Sequence, residues 1–266
     1  MTEDILKKIK QLPPLPESAM KIEAVYQDPD SSFNDMVKIL EKDPLLTADI
    51  LKAANSPLYG FSREINAIAQ AVGLFGMGTV RGFALASIVK KSFKLNLAPY
   101  GINDAMFSAL SKKQHGLMTA WCIKKENKLL GVLSPAAFLV EIGKVLIAQQ
   151  IIADGKEEAF RDALADLQDV EAAEREVVGV DTPEVSATIF KQWKFESGLV
   201  DVIGSCLHPE NAEPEDVRAA SILHVVRVAV PINGVVTPES IKEAKELIEK
   251  YELDMESFDN AIENAR

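Results

Sequence analysis

The stretch LKAANSPLYG, Leu51 to Gly60, ends a helix and opens a loop. Upstream, Asp43-Pro44 starts that helix: Asp accepts from the free amides of the first turn, and Pro at the first helical position forfeits no bond. Ser56-Pro57 stops it, because Pro disfavours helical geometry in the residue before it. Asn55 can close the helix in left-handed geometry or by side-chain bonds into the loop, and Gly60 can supply a positive-φ turn. Tyr59 and Phe61 either meet a partner or bury under the helices. Asn55, Tyr59, Phe61 and Arg63 therefore form a candidate interaction loop.

Working outward, the same punctuation recurs and strand alternation does not. Asp28 to Ser32 is a turn that caps a helix from Phe33 to Lys42, with Phe33, Met36, Val37 and Leu40 on one face. Beyond the loop, Ile65, Ile68, Ala69 and Val72 keep helical spacing to Gly73, Leu74 to Gly78 is a hinge, and Thr79 to Phe93 is apolar apart from Arg81 until Lys90. Arg81 either anchors a buried carboxylate or snorkels to the surface. Further helices are expected at 103–127, 134–153, 156–167, 169–179, 182–194, 197–207, 214–230 and 238–251. The fold class is all-α.

Composition narrows the function. The chain of 266 residues has a formal charge of −11, which disfavours a surface that tracks a phosphate backbone. Met1 is followed by Thr2, Glu3 and Asp4, not by a basic n-region, and apolar runs such as Val225 to Ile232 are short or interrupted by Arg227, so a soluble, cytoplasmic protein is expected. Cys122 and Cys206 sit in separate apolar helical contexts and are expected as reduced core thiols. GLFGMG, Gly73 to Gly78, lacks the strands that a dinucleotide fingerprint needs.

Taken in order, Leu12-Pro13-Pro14-Leu15-Pro16, Asp43-Pro44, Leu51 to Gly60, Ile65, Ala71, Leu74, Gly76 and Val80-Arg81 resemble the bacterial HDOD family, signalling modules related to the HD metal-dependent phosphohydrolases. The resemblance implies an HD-like, multi-helical HDOD domain over 12–210, with a helical part at 12–97 and a degenerate HD-like part at 103–210. Residues 211–266 are expected as a helical extension packed on the body. The leucines of the Pro-rich lead-in are expected to plug the first bundle, with a polyproline II recognition element as the other reading.

The stretch FLVEIGKVL, Phe138 to Leu146, bears on chemistry. In HD phosphohydrolases a His-Asp pair precedes Ile-Gly-Lys, one helix supplies another His and a later one an Asp, so that imidazoles and carboxylates converge on a metal-bound water and a phosphate. Carried over residue by residue, the resemblance puts His115 at the first His, Val140 and Glu141 at the His-Asp pair, Thr182 and His208 at or beside additional His positions, and Arg227 at the final Asp. A permanent cation at a ligand position repels the metal. These are vestigial metal-site positions, with no catalytic residue, metal or cofactor expected.

If the mapping holds, Glu141 and Arg227 meet in a salt bridge with His115 nearby; otherwise Glu141 pairs with Lys144 or faces solvent. The function expected is non-catalytic regulation in bacterial signal transduction through an unidentified signalling protein, without nucleic acid or membrane and with the oligomeric state open. The alternatives are a residual metal-dependent phosphohydrolase, a nucleotide-sensing module in the old pocket, and a DNA-binding regulator. The last would use Phe33 to Asn55 as a helix-turn-helix, for which Thr47, Asp49, Lys52 and Asn55 are a poor supply of donors.

Overall fold

In the computed structural model the described residues, 2–59, 61 and 63–264, form α-helices joined by turns and short 3-10 segments, with no strand among them. The helices are α1 (Glu3–Lys10), α2 (Glu17–Gln27), α3 (Phe33–Glu41), α4 (Pro44–Ala54), α5 (Ile68–Lys91), α6 (Asp104–Cys122), α7 (Leu130–Leu139), α8 (Gly143–Ala153), α9 (Glu157–Leu167), α10 (Val170–Val178), α11 (Thr182–Gln192), α12 (Ser197–Gly204), α13 (Val217–Ala229), α14 (Pro238–Lys250) and α15 (Met255–Asn264). The start of α4 follows the sequence reading: Asp43 Oδ1 accepts from the amides of Leu45 and Leu46, each at 3.0 Å.

Several boundaries differ from expectation. The expected hinge over 74–78 is not one of them: Gly76, at φ 79° and ψ 164°, is non-helical and kinks α5 into two helical segments. One helix was expected over 134–153; instead α7 begins at Leu130, tolerates Pro135, and yields to a 3-10 turn at Val140–Ile142 before α8. α6 stops at Cys122, short of Asn127, and α13 starts at Val217 after a 3-10 turn at Pro209–Asn211. α1 and α15 carried no expectation, because eight- and ten-residue helices at the chain ends offer few apolar repeats; α1 buries only Ile5 and Ile9. Gly60, the expected positive-φ position, lies outside the described residues.

α2, α3 and α4 pack against α5, and α5 in turn crosses α7. That crossing is close: a Cβ on Gly82 would stand 2.6 Å from Ser134 Oγ, so no larger residue fits. α6, α12 and α13 surround α7, while α8 packs on α11 and α10, and α14 and α15 close over α13 and α6. α1 lies on α8 and α11, away from the N-terminal helices that follow it. The lead-in between α1 and α2 buries Leu15, half-buries Leu12, and offers the Pro13 carbonyl to the Trp193 indole at 3.0 Å, as a stiff structural segment does.

Two helical stretches, Ile68–Lys91 and Asn127–Ala153, are long and apolar enough by length and composition to cross a membrane, contrary to the expectation that all apolar runs are too short. In the fold 56% and 83% of their most apolar windows are buried, so they serve as core helices here. Cys122 and Cys206 are both buried and unpaired, as expected.

Candidate functional site: a buried ion-pair cluster

The Ile-Gly-Lys step brings α8 against α11. A Cβ on Gly143 would meet the Thr182 carbonyl at 2.5 Å, and the Gly143 amide donates to Ser186 Oγ at 2.8 Å while that hydroxyl donates to the Val140 carbonyl at 2.6 Å. This contact places Glu141, Lys144 and Thr182 within reach of one another. Arg227 enters from α13: its Nε donates to Glu141 Oε1 at 2.8 Å and its Nη2 to Glu171 Oε1 at 2.5 Å.

Lys144 makes the second cation. Its Nζ lies 2.9 Å from Glu174 Oε1, 3.4 Å from Glu171 Oε1, 3.5 Å from Glu141 Oε2 and 3.0 Å from Thr182 Oγ1. Both readings of Glu141 therefore hold together, because the bridge to Arg227 and the pairing with Lys144 coexist in the interior. Gln114 Nε2 adds a bond to Glu141 Oε1 at 3.2 Å.

Burial alone would push the Glu141 and Glu171 carboxyls up, but the charges of Arg227 and Lys144 reverse that and hold both below the ordinary glutamate value. Burial likewise disfavours the charged amine of Lys144, and the three glutamates outweigh it and raise its pKa. Glu174 is the exception, since burial leaves its carboxyl raised despite Lys144. Its oxygens nevertheless accept from four donors: Tyr100 Oη at 2.7 Å, Thr182 Oγ1 at 2.7 Å, the Thr182 amide at 2.6 Å and Lys144 Nζ at 2.9 Å. That arrangement suits an ionised carboxylate and leaves no acceptor for a carboxyl proton.

The cluster floors a cavity of about 400 Å³ lined also by His208 and His224. His208 is exposed at the rim with Glu210 Oε1 at 3.4 Å. His224 accepts from or donates to Tyr251 Oη at 2.9 Å, and burial, then Arg227, lowers its pKa to about 4. Among the described residues no group of three or more His, Cys, Asp and Glu is arranged to hold a metal ion. The HD metal does not fit these side chains: Val140 offers no side-chain donor, Arg227 is a cation, and Glu141 already serves two protein cations.

His115 corrects the expectation that it lies beside Glu141 and Arg227. It is fully buried in a different knot, with Nδ1 2.6 Å from Tyr59 Oη, Nε2 2.7 Å from Ser134 Oγ, and its ring stacked on Phe138 at 4.1 Å. Burial lowers its pKa to about 3, so it is a neutral imidazole that donates on one nitrogen and accepts on the other. Its sequence neighbour Gln114 points at the cluster instead. Val140 has its side chain fully in the core.

In the candidate interaction loop, Asn55 works by side-chain bonding and not by left-handed geometry, with φ at −84°. Its amide group clamps Ile65 by donating to the carbonyl at 2.9 Å and accepting from the amide at 2.8 Å. Tyr59 packs inward onto Phe75, Phe83 and His115, whereas Phe61 is 44% exposed with its edge on Phe75, and Arg63 is exposed. Of the polar residues of the helix-turn-helix reading, Thr47 donates to the Leu40 carbonyl, Asp49 accepts from Ser87 and Lys91, and Asn55 is the clamp.

Gln114, Tyr100, Glu171 and Glu174 belong to the cluster without having been singled out in the sequence. One signal existed for Glu174: it falls between Val170 and Val178 at four-residue spacing, an acid set in the apolar stripe of α10.

Solved structures share this fold. A protein from Shewanella amazonensis SB2B provisionally named a phosphohydrolase is 25% identical, with a TM-score of 0.74 over 99% of this chain and 94% of that one. A virulence factor from Campylobacter jejuni subsp. jejuni is 26% identical, with a TM-score of 0.58 over 100% and 97% of the two chains. An HDOD domain protein of unknown function from Geobacter sulfurreducens, 17% identical, has a TM-score of 0.69 over 98% and 93%. An uncharacterized Treponema pallidum (strain Nichols) protein is 29% identical over 77 residues, which are 29% of this chain and span only 15% of that protein's length. The family model of the HDOD domain matches residues 12–209, most of the chain, and the chain belongs to the HDOD family.

Proposed function

We propose that this is a regulatory protein that carries out no phosphoester chemistry at the former metal position and acts through contact with another protein. The observation that carries the reading is the pairing of Arg227 with Glu141, two positions the resemblance assigns to metal ligands, reinforced by Glu171. The guanidinium fills the electrostatic role of a metal, tying α13 to α10 and to the turn before α8, but it cannot acidify a water. The exposed Phe61 and Arg63, on a loop clamped at its base by Asn55, supply the contact surface.

The test has two arms. Elemental analysis of the purified protein should find no stoichiometric transition metal, and bis(p-nitrophenyl) phosphate with added Mn²⁺ should hydrolyse at the buffer rate. Turnover that disappears in Glu141→Ala overturns the non-catalytic half. In the native cell, a bound protein recovered with the wild type should be lost with Phe61→Ala/Arg63→Ala; undiminished recovery overturns the assignment of the loop.

A further inference from the structure

α4, α5 and α6 splay around a second cavity, of about 500 Å³, whose lining shares no residue with that of the ion-pair cavity although Leu139 and Ile142 bracket Glu141 in the chain. Its apolar part is built by Phe83, Phe107, Phe138, Leu139 and Ile142. Four lysines line it, Lys52, Lys90, Lys91 and Lys112, against two aspartates, Asp49 and Asp104, giving a formal surplus of two positive charges. On a chain whose net charge is −11, that surplus is of the opposite sign to the molecule.

The aspartates do not neutralise it evenly. Asp49 is committed to Lys91 at 2.7 Å and to Ser87 at 2.6 Å. Asp104 meets Lys90 through its backbone carbonyl, at 3.5 Å. Among the described residues no carboxylate lies within ion-pair distance of Lys52, Lys90 or Lys112. Lys90 and Lys112 are both half-buried, on facing helices. Burial holds the Lys90 amine below its ordinary pKa; the charge of Asp104 opposes this, and the weaker repulsion of Lys112 adds to it. Two partly desolvated like charges over an apolar floor are unfavourable in the absence of an anion, and an anion between them relieves both costs.

We propose that this cavity is a binding site for a small organic phosphate, its phosphate group bridging Lys90 and Lys112 with Lys52 at the mouth, and an aromatic or apolar body against Phe107 and Phe138. A phosphomonoester carries about −1.5 to −2 charges at neutral pH, matching the surplus. A monocarboxylate leaves a lysine unmet, and inorganic phosphate leaves the apolar floor unfilled. The volume falls in the range of small-molecule sites, roughly 300–1,000 Å³, and accommodates a mononucleotide or a smaller aryl phosphate. The site is independent of the non-catalytic reading of the Arg227 cluster.

Calorimetric titration and thermal melting of the full chain at low ionic strength, with AMP and phenyl phosphate as probes, test it. At least one probe should bind and raise the melting temperature, because a ligand of the native state stabilises it. Adenosine and phenol should not bind, and inorganic phosphate should bind at least tenfold more weakly. Lys90→Gln and Lys112→Gln should each weaken binding tenfold or more while melting at or above the wild-type temperature without ligand, since the first removes the burial cost of a charge and the second a like charge facing it. Lys242→Gln, on a distant exposed helix face, should change nothing. Absence of binding by both probes at millimolar concentration, equal binding of the phosphate-free compounds, or full affinity in the Lys90→Gln/Lys112→Gln double variant overturns the proposal.

Discussion

Arg81 and Arg227 are both buried arginines held by two glutamates, in different regions and with different surroundings. Arg81 is 0% exposed and grips Glu23 with both Nε and Nη2, at 2.7 and 2.8 Å, while Nη1 reaches Glu196 at 2.8 Å and the guanidinium lies 4.2 Å from the centre of the Tyr26 ring. It fastens α2, α5 and the start of α12, with Glu23 buried and Glu196 reaching toward solvent. Arg227 is 8% exposed and shares its glutamates with Lys144 at the wall of a cavity. The contrast teaches that the same pair of charges acts as a rivet where one cation holds both glutamates alone, and as part of an adjustable network where a second cation and a cavity stand by.

The sharpest way to break the comparison is to remove each arginine. Arg81→Ala leaves Glu23 and Glu196 without a partner and should cost about 3–5 kcal/mol in urea unfolding, with Arg81→Lys recovering only part because an ammonium cannot grip two oxygens side by side. Arg227→Ala should cost less, about 2 kcal/mol, since Lys144 still faces both carboxylates and water can enter from the cavity. Equal losses would mean that the cavity gives no relief.

Proton linkage adds a smaller effect at a third place, the histidines. His115 and His224 are held neutral, at about 3 and about 4, below an unfolded value of about 6.5. A depressed base binds fewer protons folded than unfolded, so its contribution is intact above pH ~6.5 and falls as the pH drops through that value. Each histidine should take away up to about 1.4 kcal/mol per pH unit, and His115→Gln should halve the slope of stability between about pH 6 and 5. Glu141 and Glu171, whose folded values are lowered, lose their contribution only below the unfolded carboxylate value of about 4.3, so Arg227→Ala should flatten the acid end alone.

The smallest effect belongs to Tyr59→Phe, which removes the hydroxyl from His115 and should cost about 1 kcal/mol by chemical denaturation. A loss as large as that of Arg227→Ala would place the Tyr59–His115 knot, and not the ion-pair cluster, at the centre of the stability of this region.

The helical fold was legible because caps and breakers such as Asp43-Pro44 and Ser56-Pro57 act locally, within a turn of where they stand. Glu141 meeting Arg227 was legible because the resemblance supplied a geometry that no spacing contains, the residues being 86 apart. What escaped was set by packing. Whether His115 or Gln114 faces the cluster depends on the rotation of α6, which both readings of its apolar face allow. The break at Val140–Ile142 answers to the close approach of Gly143 to Thr182, a contact across 39 positions that no periodicity announces. Glu171 looked like an ordinary helix acid until Lys144 was placed beneath it, whereas Glu174 stood in the apolar stripe of α10.

The seat of α1 on α8 and α11, with Pro13 tied to Trp193, also sets an order of events during synthesis. The ribosome adds 180 residues between those two partners, which takes roughly 9–36 s at about 5–20 residues per second. For most of that interval α1 has left the exit tunnel while its docking surface does not yet exist, leaving Ile5 and Ile9 for a chaperone to cover. α1 is thus made long before the surface on which it settles.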